Sequence, residues 1–215
     1  MPAKNAIREY APETYYHVYN RGVAKQNIFL DEQDYKVFLS YLKTYLSAPD
    51  KSEKSPPSKK LKNYFGRVKL LAYCLMPNHF HFFAWQKEID ALTGFMRAVM
   101  IKYSMFFNKK YRRVGPVFQG KFKAVMITNE PQFVFLSKYI HRNPISLAAG
   151  TEPAAYSYSS YRNYLELINQ AWLDTSEILS YFSKTKLANS YQNFIEELDD
   201  RDLPMIKEVM LDFEF

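Results

Sequence analysis

Residues 67–75 and 79–86 are both dense in apolar and aromatic side chains, and only Met76, Pro77 and Asn78 lie between them. A connection that short joins an antiparallel hairpin. On a strand, successive side chains point to opposite faces. His79 and His81 then share one face of the second strand, and Phe80 turns into the core. Two adjacent imidazoles can hold a divalent metal and leave its other positions open. They can equally be two buried histidines hydrogen-bonded to backbone. They do not make a structural zinc site, which takes four ligands.

The chain on either side of the hairpin sorts into alternating elements. Residues 14–20, T-Y-Y-H-V-Y-N, are β-formers that stop at the turn signal Arg21-Gly22. Asp31 reads as a helix N-cap. Tyr35, Phe38, Leu39, Leu42 and Leu46 follow it at helical spacing, and the helix is expected to end near Ser47. Residues 48–62 are rich in Pro, Ser and Lys and read as a mobile loop. After the hairpin a second long helix is expected from Glu88, with Ile89, Leu92, Met96, Val99, Tyr103 and Phe106 as its apolar stripe. Residues 121–128 read as a fourth strand. The order β-α-β-β-α-β predicts an α+β, ferredoxin-like core, an antiparallel sheet with both helices on one face. Asn129-Glu130-Pro131 then opens a third helix that runs to Arg142. These elements divide the chain into a core domain, 1–150, and a helical extension, 151–215. In the extension helices are expected over 158–168, 175–182, 187–198 and 204–211.

The charge is unevenly placed. Residues 190–215 hold 8 acidic and 2 basic residues, so residues 1–189 carry +13 of a chain whose net charge is +7. A basic body points to a polyanion, most often nucleic acid, as partner. The densest stretch is 97–123, with Arg97, Lys102, Lys109, Lys110, Arg112, Arg113, Lys121 and Lys123, no acid, and six interleaved Tyr and Phe residues. Cations can track a phosphate backbone and aromatic rings can stack unpaired bases. The same pattern fits a helix with aromatics toward the core and lysines toward water, and Tyr103 and Phe106 are expected to be core. The basic loop 51–62 either touches DNA or is solvated. Cys74 is the single cysteine, which excludes an intrachain disulfide and a thiolate cluster and fits a reducing cytoplasm. The first residues lack the apolar stretch of a secretory signal, and no apolar run reaches the roughly 18 residues of a membrane span.

The third helix offers partners for the histidines. Tyr139 and Asn143 are one turn apart on one face. The Asn143 amide oxygen could be a third ligand, or Asn143 could simply stop the helix before Pro144. Tyr139 could be a nucleophile or one core aromatic among 18 tyrosines. His17 reads as a structural histidine.

Five segments in order, Y-H-V-Y-N-R-G, L-M-P-N-H-F-H-F, F-N-K-K-Y-R-R-V-G-P-V-F-Q-G-K-F, Y-I-H-R-N-P and Y-S-Y-S-S-Y, together resemble the single-tyrosine HUH transposases. More narrowly they resemble the REP-associated tyrosine transposases of the insertion-sequence-200-like superfamily. The resemblance spans about residues 10–165. It implies a ferredoxin-like core that cuts single-stranded DNA next to hairpins, Mg²⁺ or Mn²⁺ on His79 and His81, and Tyr139 as the residue that takes the 5′ phosphate. In the wider group a glutamine four residues after the tyrosine is the third ligand. Here Asn143 stands in that place, with His141 as a rival. Arg21, in the N-R-G motif, is expected near the phosphate. A homodimer that trades the tyrosine helix between subunits is compatible with the resemblance. The alternatives are a hairpin-binding protein of the same origin that no longer cuts, and a metal-dependent hydrolase of small phosphate substrates.

Overall fold

The computed structural model describes residues 10–49, 63–147 and 151–197. The loop 50–62, where DNA contact was an open expectation, and the helix expected over 204–211 lie outside the described residues.

Strands β1 (Thr14–Arg21), β2 (Val68–Met76), β3 (His79–Gln86) and β4 (Lys123–Met126) form one antiparallel sheet in the order β2-β3-β1-β4. Helices α1 (Glu32–Leu46) and α2 (Ala91–Lys110) cover one face. This is the predicted ferredoxin-like arrangement. Tyr16, Val18, Leu70, Phe80 and Phe82 point toward α1 and α2 and pack with Phe38, Leu42, Phe95, Val99 and Tyr103. The other face carries Leu71, Ala72, Cys74, Met76 and Phe83, packed under α3 (Glu130–Arg142) and the C-terminal segment. Leu71 and Ala72 both belong to this second core because the β2–β3 register shifts between Leu70 and Ala72. A bulge there places consecutive side chains on one face where a regular strand would split them.

The element ends follow local chemistry. The Asp31 side chain accepts from the Asp34 backbone N–H, and the Asp34 carboxylate accepts from the Asp31 N–H, a reciprocal cap on α1. Asn129 caps α3 by accepting from Gln132 N–H, with Pro131 in the first turn. α2 begins at Ala91, three residues later than the stripe predicts, and Ile89 is 56% exposed. Glu88 and Asp90 pair with Arg67 on the surface, and Asp90 stands at the N-cap of α2. Tyr103 is fully buried as expected, but Phe107 rather than Phe106 completes the buried stripe.

Residues 151–197 hold shorter helices than expected: α4 (Tyr161–Tyr164), α5 (Ser176–Leu179) and α6 (Tyr191–Glu196). Their backbone groups are diverted to the free edge of β2. Leu75 N–H donates to Tyr158 O (2.9 Å), Ser160 N–H to Tyr73 O (2.9 Å) and Asp174 N–H to Leu70 O (2.9 Å). A peptide group bonded to the sheet cannot also close a helical turn. The segment therefore lines the sheet edge and joins the second core directly.

Candidate active site

The β1–β3 register builds the site. Arg21 pairs with His79 and Tyr19 with His81, so His17 is the diagonal neighbour of His81 on the same face. The rings of His79 and His81 are perpendicular, with centroids 4.9 Å apart. The rings of His17 and His81 are stacked at 5.2 Å, with His17 Nε2 and His81 Nδ1 3.0 Å apart. Both of these are fully buried. Sequence reasoning took His17 for a structural histidine; its contact with His81 follows from a register that spacing alone does not reveal.

A glycine holds the rim of this face. Gly22 N–H donates to Asn78 O (2.8 Å), and Ile28 and Phe29 N–H donate to Pro77 O, which fastens the loop after β1 to the turn before His79. A Cβ at Gly22 would stand 2.0 Å from Gln26 O, so no side chain fits. Asn20 Nδ2 donates to Gly120 O (3.2 Å) and Arg21 Nε to Gln119 Oε1, which ties the N-R-G segment to the F-Q-G segment.

α3 lays its last turns over the histidines. The Tyr139 ring meets His81 edge-on at 5.3 Å and His17 at 5.7 Å, all within one chain. Asn143 Nδ2 donates to Tyr139 O (2.9 Å), its side chain is close enough to His79 to favour the charged imidazole, and His79 Nδ1 lies 2.6 Å from Asn78 Oδ1. His141 points elsewhere. Its Nδ1 is 2.7 Å from Tyr191 Oη and its Nε2 2.7 Å from Ser160 Oγ, among the rings of Tyr161, Tyr164 and Tyr191. With both nitrogens engaged away from His79, His141 does not compete with Asn143 as a ligand.

The electrostatics keep the imidazoles neutral. Burial lowers His79 to about 4, helped by the Arg21 charge and opposed by the Asn143 side chain. His81 is pushed well below the ordinary value by burial, then by His79 and His17. A neutral imidazole keeps a lone pair. His81 Nε2 is buried with no hydrogen-bond partner among the described residues, the condition of an atom kept for a ligand. His79, His81 and the Asn143 amide oxygen are thus the set that would hold a divalent ion. No group of three or more His, Cys, Asp and Glu side chains among the described residues could do so.

The basic residues do not form one surface. Lys123 sits over the Tyr19 ring at 5.8 Å, on the site's face of the sheet, as is Arg21. Lys102 packs on the rings of Tyr41 and Tyr45, in the α1–α2 layer behind the sheet, and Arg97 lines a groove with the same Tyr45. Lys109, Arg112 and Lys121 are exposed near the end of α2 and before β4, and Arg113 donates to Gln26 Oε1. Lys110 bridges Asp31 (2.7 Å) and the buried Asp34 (2.8 Å). No helix of the described residues is long and apolar enough to cross a membrane.

The sequence profile of IS200-like transposases matches residues 54–143, which include β2, β3, α2, β4, α3 and Asn143. Among solved structures, a REP-associated tyrosine transposase bound to a REP hairpin is similar with a TM-score of 0.55 and 12% identity, over 86% of this chain and 94% of that one. A candidate transposase from Deinococcus radiodurans R1 is similar with a TM-score of 0.38 and 14% identity, over 63% of this chain and 95% of the other. No curated protein matches the sequence.

Proposed function

We propose that this chain, whose residues 54–143 match the profile of IS200-like transposases, cuts and rejoins hairpin-bearing single-stranded DNA through Tyr139. The observation that carries the proposal is the placement of the Tyr139 ring 5.3 Å from His81, whose Nε2 is buried and unpartnered among the described residues. A REP hairpin is bound by the structural neighbour, and a folded single strand of that kind is the substrate class proposed for this chain.

His79, His81 and Asn143 would hold Mg²⁺ or Mn²⁺, and the ion when bound would polarise the scissile phosphate and neutralise charge that develops there. Imidazole donors favour Mn²⁺ over Mg²⁺. All three donors are neutral, so the chain leaves the cation's charge for the DNA phosphate. Arg21 and Lys123, on the same face, orient the strand. The Tyr139 oxygen attacks phosphorus and gives up its proton. The bond to the 3′ oxygen breaks, and that oxygen gains a proton. The products are a 5′-phosphotyrosine and a free 3′-OH. Attack by another 3′-OH on the phosphotyrosine reverses the step and rejoins the strand, with no nucleotide hydrolysis required.

The test is Tyr139→Phe with a labelled hairpin oligonucleotide and Mn²⁺. Wild type is expected to give a covalent band in which protein is attached to the 5′ end of the fragment downstream of the cut. The variant is expected to give none while its gel-shift affinity stays within a few-fold. A covalent band from the variant removes Tyr139 as nucleophile. Binding without cutting by wild type, across several hairpins, makes the chain a binding protein.

A further inference from the structure

The contact between His17 and His81 has no part in the chemistry above. Only one proton can lie between two imidazole nitrogens 3.0 Å apart. If His17 Nε2 supplies it, His81 carries its own proton on Nε2, a buried N–H with no acceptor among the described residues. If His81 Nδ1 supplies it, Nε2 keeps a lone pair aimed at the site. Metal-bound histidines commonly donate their second nitrogen to a fixed acceptor, which sets tautomer and ring orientation. The usual acceptor is a carboxylate, carbonyl or water. Here the neighbouring strand supplies another imidazole at the diagonal position, stacked within 14° of parallel.

We propose that His17 is a positioning residue: it accepts the Nδ1–H of His81, fixes that ring in the tautomer whose Nε2 is open to a divalent cation, and forms with it a two-ring shelf under Tyr139. The proposal rests on the reading of His81 as a metal ligand. The shelf is the pair of edge contacts at 5.3 Å and 5.7 Å, both from the Tyr139 ring. Because β1 and β3 are adjacent, hydrogen-bonded strands, this acceptor is carried by the sheet and does not depend on a loop.

The direct test uses ¹⁵N-labelled wild-type protein without metal. Long-range ¹H–¹⁵N correlations are expected to show His81 protonated at Nδ1; protonation at Nε2 overturns the proposal. The second test is Mn²⁺ titration followed by the electron-spin-resonance signal of the free ion. His17→Leu is expected to weaken Mn²⁺ binding by about 10- to 100-fold, with metal-free hairpin affinity and melting temperature near wild type. His17→Gln, whose amide oxygen can accept the same N–H, is expected to recover most of the loss. Wild-type Mn²⁺ affinity in a folded His17→Leu protein, or equal losses in both variants, overturns the proposal. If His17→Leu does not fold, the wild-type tautomer decides. His81→Ala separates the two readings: unchanged Mn²⁺ affinity there defeats the metal assignment itself, whatever the tautomer.

Discussion

The side chain of Asn143 donates from Nδ2 to the carbonyl oxygen of Tyr139 at 2.9 Å, so the residue that ends the helix is tied to the backbone of the residue proposed to attack. This bond fixes which way the amide faces, and its oxygen is the atom left for the histidine side. Asn143→Ala is expected to weaken Mn²⁺ binding by at least about tenfold, as loss of a ligand or its support does. Asn143→Gln is expected to retain more cleavage than Asn143→Ala, since an amide oxygen stays within reach. Equal cleavage rates in wild type and Asn143→Ala would leave the third ligand elsewhere.

On the proposed assignment of His79 as a ligand, its depressed basicity sets the acid limit of metal binding. Protons compete for its lone pair only near and below about pH 4, whereas an unperturbed imidazole near 6.5 loses the competition much earlier. Mn²⁺ affinity is therefore expected to stay nearly flat from pH 8 to about pH 5 and fall below that. Arg21→Gln removes a charge that lowers His79, so the fall should begin at higher pH in that variant. Calorimetric titration at a series of pH values reads both.

Two neighbouring lysines should separate into different roles. Lys109 is exposed, whereas Lys110 bridges Asp31 and the buried Asp34. Lys109→Ala is expected to reduce the salt dependence of hairpin binding by roughly one unit of slope if it meets a phosphate. Lys110→Ala is expected instead to lower stability by about 1–3 kcal/mol, because a buried acceptor loses a charged partner. Urea unfolding and salt-titrated gel shifts distinguish them.

His141 makes the docking of α3 sensitive to acid. Burial holds it at about 3, below the roughly 6.5 of the unfolded chain. Below pH 6.5 the unfolded state takes a proton that the folded state refuses. This contribution to stability is therefore complete above that pH and is lost as pH falls toward 3, by at most about 1.4 kcal/mol per unit. His141→Gln is expected to unfold with a shallower pH dependence than wild type between pH 7 and 5. Identical slopes in urea midpoints would refute it.

The hairpin and the starts of α1 and α3 were legible because their signals are local: Met76-Pro77-Asn78 between two apolar runs, Asp31 ahead of an apolar stripe, Asn129 before Pro131. The histidine pair and Tyr139 were legible as components from period and motif, and Asn143 from one helical turn. His17 was not, because its significance depends on which residue of β3 it faces. No single strand carries that information. The C-terminal segment was misjudged as longer helices for a related reason. Tyr158, Ser160 and Asp174 bond to β2, more than 80 positions away in sequence, and an intrinsic helical pattern says nothing of a distant strand edge. The split of the basic stretch was hidden too, since Lys102 and Lys123 face different layers only once the sheet stands between them.

The hold of the C-terminal segment on α3 also bears on when the protein becomes competent during synthesis. His141 is enclosed by Ser160 and Tyr191, and Arg142 donates to the carbonyl of Ile195. The sheet and its two covering helices can form from the first part of the chain to emerge from the ribosome. The helix carrying Tyr139 finds its full set of partners only after residue 195 has followed. A nascent chain with its histidines already in place would still lack a seated Tyr139, so on the proposed chemistry incomplete products would have little means of cutting DNA.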